Sequence, residues 1–252
     1  GNPGARVQDM STDDRASADA SPQPPRALLE EGRNCWVIRH SPRAAVIVDV
    51  ADYFAALAEA CSQARHQILV LGWDFERRER LFRNGDPVTV GDFFDGLVRR
   101  QPGLRVHALI WDFAMIYALE RDLFPVFHLG LKTHRRFQFH LDSRHPVGAS
   151  HHQKVVVVDD RVAFCGGIDL GKWRWDTPEH RADDPRRVTH DGESYPPFHD
   201  VQMLVAGEAA KALGALARER WRRATGERLH APPQDAAGDP WPARVQPALH
   251  DV

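Results

Sequence analysis

The chain has 252 residues, of which 42% are hydrophobic and 27% charged, with a formal net charge of -2. That size suits one large or two small soluble globular domains. The near-neutral balance argues against a general nucleic-acid binder, which carries a strong basic excess. No apolar run nears the ~18 residues of a membrane-spanning helix, so any membrane contact by this chain is expected to be peripheral.

Residues 1–32 are rich in Ala, Ser, Asp, Pro and Arg and lack aliphatic clusters. Such a segment buries too little apolar surface to offset its ordering entropy, and it is expected to be a disordered leader. No basic-then-apolar order marks a signal peptide. This points to the cytoplasm or its membrane surface.

Cys35–Ile38 and Ala45–Val48 read as a pair of short strands. Asp52 is placed to cap a helix with Phe54, Leu57, Ala58 and Cys61 on one stripe. Ile68–Trp73 reads as a strand, Asp92–Arg99 as a helix stopped by Gln101-Pro102-Gly103, and Val106–Trp111 as the next strand. Short helical turns are expected at 114–119 and 125–129. Phe137–Leu141 is a further strand. Lys154–Val158 and Val162–Cys165 flank an Asp159-Asp160 turn, and Val201–Val205 follows as a strand. A long helix is expected over Glu208–Arg223, with Ala209, Ala212, Leu213, Leu216, Ala217 and Trp221 on its apolar side.

Strands alternating with helices predict an α/β fold, a central mixed β-sheet flanked by helices. The domain reading is a leader at 1–32, one domain at 33–228 and a linker-like tail at 229–252, rich in Pro, Ala and Asp. Cys35, Cys61 and Cys165 show no metal-ligand spacing, and as an odd set they read as free thiols.

The informative stretch is His151-His152-Gln153-Lys154-Val155-Val156-Val157-Val158-Asp159. Four consecutive valines indicate a strand covered on both faces. Strand side chains alternate, so His152 and Lys154 point the same way. A base or nucleophile beside a fixed cation suits chemistry on a phosphate. His151, on the opposite pleat, reads as structural. Asp159, at a turn, reads as a scaffold for backbone N–H groups. Gly166 and Gly167 allow close backbone approach to a ligand.

The spacing resembles the His-x-Lys-x-x-x-x-Asp signature of the phospholipase D superfamily. Three flanking blocks carry the resemblance further: Gly166-Gly167-Ile168-Asp169-Leu170, Arg174-Trp175-Asp176-Thr177-Pro178-Glu179-His180 and Phe198-His199-Asp200-Val201. Together, from about Trp36 to about Thr225, they look like the amino-terminal catalytic half of the eukaryotic-like type, which also occurs in bacteria. The resemblance implies a phospholipase D-like fold, one of two halves of a pseudo-two-fold architecture. It implies hydrolysis of glycerophospholipids to phosphatidic acid and head group, through a phosphohistidine and without a cofactor.

On that resemblance His152 is the nucleophile, Lys154 balances charge on the phosphoryl oxygens, and Asp159 completes the catalytic signature. Gly166, Gly167 and Asp169 belong to the substrate-binding region. Asp169 stands where many members have Asn, and a carboxylate repels phosphate unless it is paired or protonated. Asp200 aligns with a carboxylate that steadies the histidine of the opposite motif, and His199 stands beside it. A zinc site among His151, His152, His180, His199 and nearby aspartates is the rival reading. The Lys154 ammonium works against a dication close by, and the resemblance points away from metal.

Only one such motif is present, whereas family members need two. The partners implied are therefore a phospholipid at a membrane surface and a second motif-bearing half, supplied by a missing carboxy-terminal part or by a second copy of the chain. A homodimeric, metal-independent endonuclease is the alternative, motivated by Lys132, Arg135, Arg136 and Arg144. Given the overall charge, nucleic acid is the lesser expectation. A catalytically silent fragment that binds anionic phosphate is a third.

Overall fold

The computed structural model describes residues 28–85, 87–112, 134–146, 148–234 and 238–252. The turns expected at 114–119 and 125–129, and nearly all of the expected leader, lie outside them. Residues 28–38 belong to a small unit of their own, in which Glu31 bridges Cys35 and Asn34 Nδ2 donates to the Leu28 carbonyl.

The unit from Arg39 to Val252 is built on an eight-stranded mixed sheet. In chain order its elements are β1 (Arg43–Val48), α1 (Val50–Ser62), β2 (Gln67–Gly72), α2 (Val90–Arg100), β3 (Arg105–Trp111), β4 (Phe137–Asp142), β5 (Val155–Val158), β6 (Val162–Gly166), β7 (Val201–Ala206), α3 (Glu208–Thr225) and β8 (Leu249–His250). The strand order is β4-β3-β2-β5-β6-β7-β1-β8. β2, β3 and β4 run parallel, and the remaining neighbours pair antiparallel.

Two apolar clusters sandwich this sheet. Val156 and Val158 of β5, with Ile68 and Val70 of β2, pack in the larger cluster with α1 and α2. Val155 and Val157, with Leu69 and Leu71, pack in the smaller one with Ala210, Ala217 and Trp221 of α3. The four-valine run is thus covered on both sides, as its composition predicts. Burying each such side chain contributes ~1.5–3 kcal/mol.

Four expectations are corrected. Ala45–Val48 forms as part of β1, between β7 and β8, whereas Cys35–Ile38 is not a strand: Cys35 makes a single bridge to Glu31. Asp52 lies in the first turn of α1, and the N-cap position belongs to Asp49, whose side chain makes no capping hydrogen bond. The buried stripe of α3 is Ala210, Gly214, Ala217 and Trp221, rotated from the one expected. Small residues win that stripe because the helix lies close to the β5–β6 turn: a Cβ on Gly214 would stand 2.0 Å from Asp160 Oδ1.

The fourth correction concerns the tail. Trp241 is buried in the larger cluster, its indole N–H donates to the Val245 carbonyl, and the Arg43 guanidinium stacks on its ring at 4.5 Å. β8 then closes on β1. Residues 238–252 are therefore part of the folded unit, because one tryptophan and a strand edge supply the apolar area and the hydrogen bonds that Pro-rich composition conceals. Among the described residues no helix is long and apolar enough to cross a membrane, and all three cysteines are free.

Candidate active site

The residues of interest collect where β2 and β3 end and β5 begins. β2 ends at Gly72, and Trp73 follows it out of the sheet. The Trp73 indole stacks on Trp111, at the end of β3, with centroids 5.6 Å apart and planes 25° apart. The His152 ring meets the same indole edge-on at 5.8 Å, and Lys154 Nζ lies 5.8 Å from the indole centroid. Lys154 Nζ also donates to the His152 carbonyl at 3.4 Å. His152 and Lys154 therefore share one neighbourhood at the Trp73 indole, on the extended segment that leads into β5. His152 is exposed and Lys154 is buried.

Lys154 is held by Asp169. Its Nζ lies 3.0 Å from Asp169 Oδ2, and both side chains are almost fully buried. Asp169 Oδ1 accepts the Trp73 backbone N–H at 2.9 Å. This answers the objection to a carboxylate at position 169, whose charge is paired. The pair fixes the ammonium in place, since an unpaired charge at either position costs several kcal/mol in such surroundings.

Asp159 is not brought to this cluster. It stands at the opposite end of β5, about 17 Å along the strand at ~3.4 Å per residue. Its Oδ1 accepts the N–H groups of His66 and Gln67 at 2.9 and 2.7 Å, and its Oδ2 accepts that of Arg65 at 2.7 Å. This is a scaffolding geometry, and it pins the start of β2 to the β5–β6 turn. Asp159 and Asp160 both have positive φ, 51° and 54°. Asp160 holds the turn from the other side through a two-toothed pair with Arg218 of α3.

Gly166 and Gly167 lie where β6 leaves the sheet beside the start of β7. A Cβ on Gly167 would fall 2.2 Å from Asp200 Oδ1, and one on Gly166 would fall 2.5 Å from the Val201 carbonyl. The missing side chains are expected to leave room for a ligand. The structure gives the close approach to the chain itself. Asp200 Oδ1 accepts the Val201 N–H at 2.7 Å, which sets its carboxylate on the same rim as the glycines. His199 turns instead to Asp49, its Nδ1 lying 2.8 Å from Asp49 Oδ1.

His151 contacts Asp142 Oδ2 at 3.4 Å and the Arg144 carbonyl at 3.3 Å, and burial and the nearby Arg220 hold its pKa below the ordinary value. This suits a structural residue. The basic cluster that motivated a nuclease is partly consumed. Arg136 donates to the carbonyls of Val98, Gln101, Pro102 and Leu104, tying α2 to the start of β4, and Lys132 lies outside the described residues. Asp49, beside His199 and His180, is what sequence reasoning missed. It lies about 130 residues or more from both histidines, so spacing carried no signal.

Mixed sheet, two-sided valine strand and paired lysine define an α/β protein with a cation-supported histidine at the entry to a central strand. The family model for phospholipase D matches residues 60–237. The chain belongs to the phospholipase D family. Phospholipase D C of Dictyostelium discoideum is 28% identical over 206 residues, covering 70% of this chain and 12% of that protein. Phospholipase D gamma 1 of Arabidopsis thaliana is 31% identical over 220 residues, covering 67% of this chain and 25% of that protein. Among solved structures, NucT from Helicobacter pylori aligns with a TM-score of 0.47 at 11% identity, over 73% of this chain and 98% of that one. The chain thus spans a quarter or less of the length of these two curated relatives.

Proposed function

We propose that this chain supplies the first catalytic half of a phospholipase D-type phosphodiesterase acting on glycerophospholipids at a membrane surface. The observation that carries the reading is the Trp73 corner: an exposed imidazole and a buried ammonium, the latter fixed by Asp169, meet on one indole. Family membership supports it.

In this reading a ring nitrogen of His152 attacks phosphorus. The P–N bond forms, the P–O bond to the head group breaks, and the departing oxygen takes a proton from a histidine of the second motif. Lys154 offsets charge on the phosphoryl oxygens, where a prepositioned cation acts most strongly. Water then attacks phosphorus, its proton passes to the second histidine, the P–N bond breaks, and phosphatidic acid leaves. Asp200 orients the histidine of the second motif, Gly166, Gly167 and Asp169 shape the phosphate-binding wall, and Asp159 acts by holding the strand that carries the site.

The second half is supplied by the rest of a longer protein or by a second copy. Its docking surface in this reading is the exposed apolar face made by Val46, Val48, Val201 and Met203. These lie in paired register, Val46 against Met203 and Val48 against Val201. The patch ends beside Asp200 and so adjoins the catalytic rim.

The test is head-group release from phosphatidylcholine or phosphatidylethanolamine by the full-length protein, with His152→Ala alongside. The expected result is loss of at least ~1000-fold of activity, on the scale of losing a covalent nucleophile, and a phosphohistidine trapped on His152 in the wild type. Equal release by both proteins overturns the reading.

A further inference from the structure

A second chemical centre lies a few residues from the catalytic rim, and the proposed hydrolysis makes no use of it. Asp49 follows β1 and is fully buried. It occupies the N-cap of α1, yet its carboxylate caps nothing. Among the described residues its charge meets only two imidazoles: His199 Nδ1 at 2.8 Å from Oδ1, and His180 Nε2 at 3.2 Å from Oδ2. Oδ2 is sealed from solvent, and among the described residues its one polar contact is the 3.2 Å approach of His180 Nε2, which lacks hydrogen-bond geometry. A fully buried carboxylate with an unbonded oxygen is costly unless a cation satisfies it.

His180 is held as metal-binding histidines commonly are. Its Nδ1 lies 3.1 Å from Asp176 Oδ2, and Asp176 is itself fixed by Arg187 and by the backbone N–H groups of Thr177 and Phe198. A carboxylate behind one ring nitrogen sets the tautomer and leaves the other nitrogen's lone pair facing forward, here toward Asp49. The rings of His180 and His199 stand at 88°, with centroids 5.2 Å apart, so they form a wedge rather than a stack. One ligand atom from each of Asp49, His180 and His199 lies within 4.8 Å of the other two. His199 is largely exposed, which leaves the wedge open on one side.

We propose that Asp49, His180 and His199 form a site for one divalent transition-metal ion of zinc-like preference. Two imidazoles and one carboxylate, with an open fourth position, match the donor set that zinc selects over calcium or magnesium. No lysine or arginine pairs with Asp49 among the described residues, so the repulsion that Lys154 would impose at His152 does not arise here. The site is structural with respect to hydrolysis. The Asp49 backbone N–H donates to the Asp200 carbonyl at 2.9 Å, so an ion on Asp49 and His199 would fix the backbone that presents the Asp200 carboxylate. The metal assignment itself stands apart from the reading of His152.

The test uses the whole chain, stripped with a chelator and then titrated with Zn2+ by calorimetry and with Co2+ by visible absorption. One ion per chain, bound with submicromolar affinity, the intense visible bands of four-coordinate Co2+ and a rise in melting temperature with Zn2+ are expected. His199→Ala, an exposed position that leaves the core intact, should weaken Zn2+ binding at least ~100-fold and abolish the Co2+ bands and the thermal shift. His152→Ala should bind like the wild type, which separates failure here from failure of the catalytic reading. Absence of stoichiometric uptake by the wild type overturns the proposal and leaves an ion-pair network. So does uptake undiminished in both His199→Ala and Asp49→Asn.

Discussion

Lys154 and His152 are two residues apart, yet substitution should affect them differently. His152 is exposed, and its imidazole meets the Trp73 indole edge-on. Lys154 is buried on Asp169. His152→Ala should leave the unfolding free energy nearly unchanged, within ~0.5 kcal/mol. Lys154→Ala should cost ~3–5 kcal/mol, because it strands a buried carboxylate. Parallel urea titrations of the two variants check this. His107 offers a residue-scale test in pH. It is buried edge-on against Trp221, with centroids 5.0 Å apart, and burial pushes its pKa from the ordinary 6.5 down to about 4. The unfolded chain therefore binds the extra proton first as pH falls. The stability linked to this group is complete above 6.5 and is lost progressively down through about 4, amounting to about 3 kcal/mol. His107→Phe should flatten the stability profile across that window, as followed by chemical denaturation at each pH.

The β5–β6 turn is the element that organises the site from a distance. Its Asp159 binds three consecutive N–H groups at the start of β2, and its Asp160 grips Arg218 of α3. Both strands that border the Trp73 corner are thereby set in register from their far ends. Asp159→Ala should destabilise the protein by ~2–3 kcal/mol, because it orphans one buried and two part-buried N–H donors, and lower activity without touching substrate. Thermal melts and head-group release measured on one preparation separate the two effects. At the other end of β6, Gly167→Ala would force a Cβ against Asp200. Loss of activity is expected there at nearly normal stability, since the adjustment falls on the rim rather than on the core.

For the whole molecule, the two faces of the sheet are unequal. α1, α2 and Trp241 belong to the apolar cluster on one face, whereas α3 covers the β2–β6 part of the other and leaves Val46, Val48, Val201 and Met203 exposed. Contiguous apolar surface beside the rim that carries Asp200 fits an interaction site. In the proposed function, the double substitution Val48→Lys and Met203→Glu should leave the melting temperature within a few degrees. It should prevent association with the second half, as followed by sedimentation and by activity of the full-length protein.

The order of strands and helices from β1 to α3, the two-sided burial of β5, and the common side of His152 and Lys154 were legible in the sequence. Each is local: a period of two, a run of β-branched residues, a Gly or Pro stop. The fit of Asp159 as a backbone scaffold was legible for the same reason, since it sits at a turn. Tertiary structure alone decided the rest. It turned the Pro-rich tail into a buried Trp241 and a closing strand, set Gly166 and Gly167 tightly against Val201 and Asp200, paired Asp169 with Lys154, and delivered His180 and His199 to Asp49. These outcomes depend on which distant segments meet. No local period encodes that, because it is settled by the competition of all apolar and charged surfaces for the same few places on one sheet.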